Sequence, residues 1–326
     1  MIAIEISSAG GPDVLLPAER AVPQPQAGEV LIRVRAAGVA RADMLQRQGK
    51  YPPPSGASDI PGLDVAGTVE AVGEGVSSLE VGDAVCAILT GGGYAEFCTA
   101  PVEQVLPRPE NWSFIEAATL PENLFTVYDN LVTRAGLVQG ETVLIHGGTS
   151  GIGSMALMVS RQVGAVPFAT AGSDSKAEAC VRFGAEHAIN YKDSDFVTEI
   201  KRLTANRGVD VVLDMVGGPY LDRNLEVLGH EGRISIVATQ GGRQGHLDIG
   251  KLMGKRARVM GSTMRARSKE EKGKVARRLV EAVWASLPGK RWIKPVIDST
   301  FPLRDARLAH ERMESGEHIG KIVLTT

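Results

Sequence analysis

The chain has 326 residues, more than one hydrophobic core usually sustains, so two domains are expected. Its 36 basic and 38 acidic residues leave a net charge of −2, which gives no overall footprint for nucleic acid or an anionic membrane and leaves small ligands as the expected partners. Cys86, Cys98 and Cys180 are scattered and form no C-x-x-C pair, no basic residue precedes Arg20, and no apolar run has bilayer length; these features argue against a disulfide frame, a zinc knuckle, a secretory leader or a membrane span, and the expectation is a soluble cytoplasmic protein.

The first third reads as short β runs broken by turns: AIEI, EVLIRVRAAGV, VAGTVEAVG, VGDAVCAIL and YAEFCTA. This spacing predicts a compact β-barrel-like domain, with Gly73, Gly75 and Gly82 at positive φ in its turns. From about Asn123 the texture changes to helices alternating with parallel-type strands, expected over 142–146, 166–171, 187–191, 209–216, 232–238 and 257–263. Six strands joined by crossovers describe a doubly wound sheet. After about Met264 come a charged helix over 268–287, a strand near KPVIDSTF, a helix near RDARLAHERME and a strand in GKIVLTT. That is too little for a third domain, so the tail is expected to complete the first. The division read from sequence is 1–122 with 265–326, and 123–264.

The run VLIHGGTSGIGSMALMVSRQVGA carries the chemistry. A buried-strand pattern ends at His146, then Gly147-Gly148-Thr149-Ser150-Gly151-Ile152-Gly153 opens a helix whose apolar residues include Ile152, Met155, Val159 and Val163. Small residues at such a turn let the backbone approach a pyrophosphate, whose charge is favoured by free N–H groups and by the positive end of the helix. The spacing is G-x-x-G-x-G from Gly148, or G-x-x-x-G-x-G from Gly147. Short-chain dehydrogenases use the second form together with a Tyr-x-x-x-Lys pair. Neither Tyr191 nor Tyr220 has a lysine four residues on, which disfavours that family.

About 20 residues further along, an acidic side chain would bind the ribose of NAD and repel a 2′-phosphate. Here Gly172 and Ser173 occupy that corner, Lys176 follows, and Tyr191 ends the next strand. A hydroxyl, a cation and a phenol suit a phosphate, so NADPH is the expected cofactor. Asp174, at the start of a helix, is expected to cap it. Lys176 could equally be a solvated helix lysine.

A β-rich first domain, a nucleotide turn near the middle and a returning tail resemble the medium-chain dehydrogenase/reductase superfamily. The likeness is carried by GVARADMLQRQGKYPPPSGASDIPGLDVAGTV, VGDAV, LIHGGTSGIG, AGS followed by Lys176, INY and HIGKIVL, and spans essentially the whole chain. It implies an α/β protein with a GroES-like β-barrel catalytic domain and a Rossmann dinucleotide-binding domain. Zinc alcohol dehydrogenases of that superfamily place cysteine in G-x-C-x-x-D and histidine in G-H-E. This chain has Gly38-Val39-Ala40-Arg41-Ala42-Asp43 and Gly62-Leu63-Asp64, so neither ligand is present, and the lobe with four close cysteines is absent. What remains resembles the zinc-free quinone oxidoreductases of the zeta-crystallin type, and RADMLQRQGKYPPPSGAS is closest to the tumour-suppressor-inducible branch.

The resemblance implies a homodimer, electron transfer from NADPH to quinones or other electron-poor oxidants, and site residues as follows. Tyr51 and Ser150 are the candidate catalytic hydroxyls; Tyr51, with Thr126, also lies near the cofactor. Thr149, Ser150, Gly151 and Ile152 join Gly148 in the turn. Ala238 and Gln240, and Met264 and Arg265, lie in two loops flanking the nicotinamide. Ala40 stands where many members carry asparagine, which removes a polar group from that neighbourhood. The simpler readings are a loop aromatic held by prolines for Tyr51, a tight-turn residue for Ser150, a helix residue bonding its own backbone for Thr126 and a surface charge for Arg265. Asp43 is expected to hold a loop, and His146 to be structural. Two other functions stay open: an NADPH-dependent reductase of enone or enoyl double bonds, and an NADPH sensor or RNA-binding protein that uses Lys255, Arg256, Arg258, Arg265, Arg267 and Lys269.

Overall fold

The computed structural model describes residues 1–284, 287 and 292–326. The chain forms two compact units, one of Met1–Phe125, Met264–Lys290 and Pro295–Thr326, the other of Thr126–Thr263 with Arg291–Lys294.

The first unit opens with β1 (Ile2–Ile6) and β2 (Leu15–Glu19), an antiparallel pair. Next come β3 (Glu29–Val39), α1 (Arg41–Arg47), β4 (Asp64–Val72), β5 (Ala84–Ile88), β6 (Phe97–Pro101), β7 (Val105–Pro107), α2 (Phe114–Ala117) and α3 (Pro121–Val127), the last reaching the second unit. The spine is β3, antiparallel to both β4 and β6. Along it Ile32 and Val34 are buried while Arg33 and Arg35 are exposed, the period of two that a half-buried strand imposes. From Ala36 to Val39 every residue is buried. Sequence reasoning misses β2, which contains Pro17; among the described strands β2 pairs with β1 alone, so its other edge is free and a missing N–H is tolerated there. The three-residue β7 and the seven-residue α1 are too short to leave a periodic signal. Gly75 and Gly82 have positive φ as expected, but Gly73 does not. It is glycine because a Cβ there would lie 2.0 Å from the Gln26 carbonyl oxygen.

The second unit runs β8 (Thr142–Ile145), α4 (Gly151–Val163), β9 (Val166–Ala171), α5 (Asp174–Arg182), β10 (His187–Asn190), α6 (Phe196–Leu203), β11 (Val209–Asp214), α7 (Leu221–Val227), β12 (Leu228–Ile236), α8 (Ile249–Lys255) and β13 (Arg258–Gly261). All six strands are parallel, in the order β10-β9-β8-β11-β12-β13, the expected doubly wound sheet. Its central strands are apolar without alternation because helices cover both faces. Leu144, Phe168, Val212 and Ile234 meet in one core, each contributing about 1.5–3 kcal/mol by leaving water. The strand expected to reach residue 216 stops at Asp214, whose carboxylate accepts from the amides of Val216 and Gly217 and turns the chain. Gly164, at φ 87°, ends α4 in the left-handed region.

The tail continues with α9 (Lys269–Ala282), β14 (Ile297–Pro302), α10 (Ala306–Glu314) and β15 (Lys321–Thr325). The helix starts with a reciprocal cap between Ser268 and Glu271. Residues 285 and 286, included in the expected helix, lie outside the described residues. β15 pairs antiparallel with β3, and β14 pairs with β15. Among the described residues no helix is long and apolar enough to cross a membrane.

Candidate active site

In the second unit the glycine turn is built so that side chains cannot intrude. A Cβ on Gly148 would stand 2.6 Å from the sulfur of Cys180 and 2.9 Å from the Ala169 Cβ, and one on Gly153 would stand 2.1 Å from the Gly147 carbonyl oxygen. At the head of α4 the amides of Gly151 and Ile152 lack intrahelical carbonyl partners, as the first residues of any helix do. A cradle closed to Cβ atoms and rimmed by such amides fits a dinucleotide pyrophosphate.

Ser150 is the N-cap of α4. Its hydroxyl accepts from the Gly153 amide at 2.9 Å and donates to the Gly147 carbonyl at 2.9 Å. Its one proton is therefore engaged, which removes the basis for Ser150 as a catalytic hydroxyl and leaves it as a turn residue. Thr149 beside it is buried. His146, fully buried, donates from Nε2 to the Asn224 Oδ1 at 2.8 Å, and its Nδ1 lies 3.1 Å from the Thr170 hydroxyl, which accepts from the Gly147 amide. Burial pushes this imidazole down to about 4, so it is a neutral fastener beneath the turn.

At the ribose corner Ser173, and not Asp174, caps α5, accepting from the Lys176 amide at 3.4 Å. Asp174 instead accepts from the Asn190 amide group at 3.0 Å. Gly172 lies against the Tyr191 hydroxyl, where a Cβ would be 2.7 Å from the oxygen. The corner thus gathers Gly172, Ser173 and Tyr191, with Lys176 in the same turn. Thr126 is buried, and its hydroxyl has no hydrogen-bond partner among the described residues. The self-bonding alternative fails: its carbonyl accepts from Asn130, while its own Oγ1 stays unsatisfied, as a site awaiting a ligand would leave it. Ala238 and Gln240 follow β12, and the Gln240 amide donates to the Met215 carbonyl.

In the first unit Arg265 is only 4% exposed, which overturns the surface-charge alternative. Its Nε donates to the Thr90 carbonyl at 2.9 Å, one terminal nitrogen to the Tyr51 carbonyl at 3.3 Å and the other to the Gln46 Oε1 at 2.6 Å. The guanidinium carbon also lies 5.4 Å from the centroid of the Tyr51 ring. Tyr51 is therefore held by Arg265 rather than by its prolines alone, and burial raises its phenol. Met264, next to Arg265, is buried as well. Sequence reasoning misses Thr90 and Lys272. Lys272 is 1% exposed and donates to the Thr90 hydroxyl at 2.8 Å. The signal was present: Lys272 falls at helical spacing with the buried Val275, Ala276 and Leu279 of α9.

Asp43 holds a loop as expected, accepting from the amides of Ala40 and Gly62 at 2.9 Å each. At the positions of the two missing ligands, Ala40 and Leu63 are buried and offer no metal-binding atom. Asp64, fully buried, pairs with Lys321 at 2.6 Å. The proposed basic patch does not hold together: Arg265 is buried, and the Lys255 ammonium binds the carbonyls of Glu226 and Leu228.

The chain is similar to known proteins along its length. Residues 26–110 match the alcohol dehydrogenase GroES-like domain, and residues 151–281 match the family described as zinc-binding dehydrogenase. The quinone oxidoreductase of Rattus norvegicus is 34% identical over 327 residues, covering 99% of this chain and 97% of that protein. The structure of Escherichia coli quinone oxidoreductase complexed with NADPH superposes with a TM-score of 0.87 at 28% identity, covering 100% of both chains. The CurK enoyl reductase superposes with a TM-score of 0.85 at 31% identity, covering 99% of this chain and 98% of its own.

Proposed function

This chain belongs to the medium-chain dehydrogenase/reductase family, among its quinone oxidoreductases, and on that premise we propose that it reduces quinones with NADPH and without a metal ion. The observation that carries the reading is the likeness to quinone oxidoreductases over 99% of the chain. Zinc independence rests on Ala40 and Leu63, neither of which supplies a ligand atom.

NADPH, when bound, supplies a hydride. The chain's part is to bind, orient and exclude water. The amides of Gly151 and Ile152 take the pyrophosphate, and the corner of Gly172, Ser173, Lys176 and Tyr191 takes the 2′-phosphate. The free hydroxyl of Thr126 supplies a polar contact to the cofactor. In the first unit Tyr51, fixed by Arg265, and the buried Met264 are the proposed contacts to the reacting partners; in the second, Ala238 and Gln240 are the proposed further cofactor contacts. A homodimer pairing through β13, the edge strand of the parallel sheet, and a cytoplasmic location in keeping with three free buried cysteines complete the proposal.

The test is a panel of oxidants, 1,4-benzoquinone, 9,10-phenanthrenequinone and crotonyl-CoA, with NADPH consumption as readout. Quinone turnover with crotonyl-CoA untouched is expected. The reverse would establish the second reading, a double-bond reductase, which the likeness to an enoyl reductase favours. Tight NADPH binding with no oxidant reduced would sink both.

A further inference from the structure

Hydride delivery to a quinone leaves one oxygen short of a proton, and neither hydroxyl singled out in the sequence is placed to supply it. The Ser150 proton is given to the Gly147 carbonyl, and among the described residues no group donates to the Tyr51 phenol oxygen to resupply a proton there. A third hydroxyl belongs to a residue tied to Tyr51 through Arg265, which donates to both backbone carbonyls. Thr90 is half-buried; its carbonyl accepts from Arg265, and its hydroxyl accepts from the Lys272 ammonium at 2.8 Å.

Direction follows from chemistry. An ammonium can only donate, so the Thr90 oxygen is the acceptor there and its own O–H must point elsewhere. Among the described residues that O–H has no acceptor. Lys272 has no carboxylate within ion-pair distance among the described residues, and nor has Arg265. Two buried cations on either side of one threonine, without an anion between them, form a place where negative charge is stabilised when it develops. Burial and the neighbouring Arg265 charge bring Lys272 down to about 8, close to working pH for a proton source. The other charged groups facing this cluster are Asp43, whose charge acts on Arg265, and, beside Gly273, Glu103 and Arg277; β7 contributes none.

We propose that the Thr90 hydroxyl is the proton donor to the reduced quinone and that Lys272 is the group that resupplies it. The inference rests on the quinone-reductase reading. The Thr90 Oγ–H bond breaks in favour of the quinone oxygen while an Nζ–H bond of Lys272 breaks in favour of Oγ. Threonine stays neutral, and lysine is left as the amine. The amine regains its proton from solvent, so each turnover consumes one proton, as reduction of a quinone to a hydroquinone by hydride requires.

Four variants test the relay: K272M, K272R, T90V and T90S, assayed with 1,4-benzoquinone and with its tetrachloro derivative, whose product anion needs no proton to be stable. K272M and T90V are expected to lower kcat for benzoquinone about a hundred-fold, to affect the chlorinated quinone far less, and to leave the NADPH Kd unchanged. T90S restores turnover, and K272R moves the alkaline limb of the pH profile upward from near 8. In the cofactor-free protein, 4-nitrophenol should bind as phenolate to wild type and not to K272M, read by its absorption. Equal losses with both quinones, unchanged rates in T90V, or unaltered phenolate binding in K272M would each overturn the relay. If wild type reduces no quinone, the reading beneath it fails instead, and phenolate binding alone judges the relay. Should K272M not fold, K272R and T90V carry the test.

Discussion

The α-carbon of Gly148 sits so close over the thiol of Cys180 that a Cβ on it would be 2.6 Å from the sulfur. Strand end, phosphate turn and α5 are thus fitted to one another with no spare volume. Gly148→Ala is expected to cost about 1–3 kcal/mol through overpacking and to weaken NADPH binding at least about ten-fold. Cys180→Ala added to it should return part of the stability, and the coupling would appear as non-additive urea midpoints. Strictly additive effects would show that the two residues do not press on each other.

Ser173 caps α5 with its hydroxyl, so a test of the 2′-phosphate corner must keep the cap. Ser173→Asp does so, because aspartate caps well, while adding a charge that repels the phosphate. The KM for NADPH should rise at least about ten-fold and that for NADH should stay put, with little change in Tm. A parallel rise for both nucleotides would mean the corner does not read the phosphate.

Thr126→Val removes a buried hydroxyl that has no partner among the described residues and keeps the shape. The cofactor-free protein should gain up to about 1 kcal/mol, and the increase in Tm on adding NADPH should shrink. A variant less stable without cofactor would reveal a partner for the hydroxyl.

For Tyr51 the ring, stacked by Arg265, and the phenol can be separated. Tyr51→Phe should keep most of kcat, and Tyr51→Ala should lose at least about ten-fold through misplacement, with the NADPH Kd changed little in either. Equal losses in the two would move the proton-donor role from Thr90 to Tyr51.

Above the range where its ion-paired carboxylates titrate, the protein's acid sensitivity should come from buried histidines. His310, buried between Arg47 and the Tyr94 hydroxyl, is pushed down to about 3 by burial and then by the Arg47 charge, and His146 is pushed down to about 4 by burial. Below the ordinary value of 6.5 the unfolded chain takes up protons these rings refuse, so stability falls as pH falls. Asp43 opposes them: burial raises it to about 6, so its ionisation costs stability as pH climbs from 3.8 to that value. Two histidines against one carboxyl leave a net loss of about 1.4 kcal/mol per pH unit between about pH 4 and 6 from these three groups. His310→Gln should flatten that slope in urea titrations; an unchanged slope would mean His310 titrates as it does in water.

The parallel sheet was readable because its central strands carry runs such as TVLI and VVLD set between helices, a pattern that turns and glycines bracket clearly. The phosphate turn was readable for the same reason. What escaped is held by tertiary contact: Pro17 hides β2, three residues cannot announce β7, and a cap of Asp174 was expected where Ser173 does the work. The pair of Thr90 and Lys272 joins positions 182 residues apart, and Arg265 reaches Gln46 across 219. No local spacing encodes such meetings. The one local trace, a lysine on the apolar stripe of α9, marks the burial but not the partner.

Strand β15 lies between β14 and β3, so the older half of the chain cannot close its sheet until nearly three hundred residues after β3 have left the ribosome; the Thr326 hydroxyl that donates to the Val34 carbonyl is 292 positions from it. The parallel sheet needs no such wait, since its strands are contiguous in sequence. During synthesis it can mature first, while the edge of β3 at residues 36–39 stays unpaired.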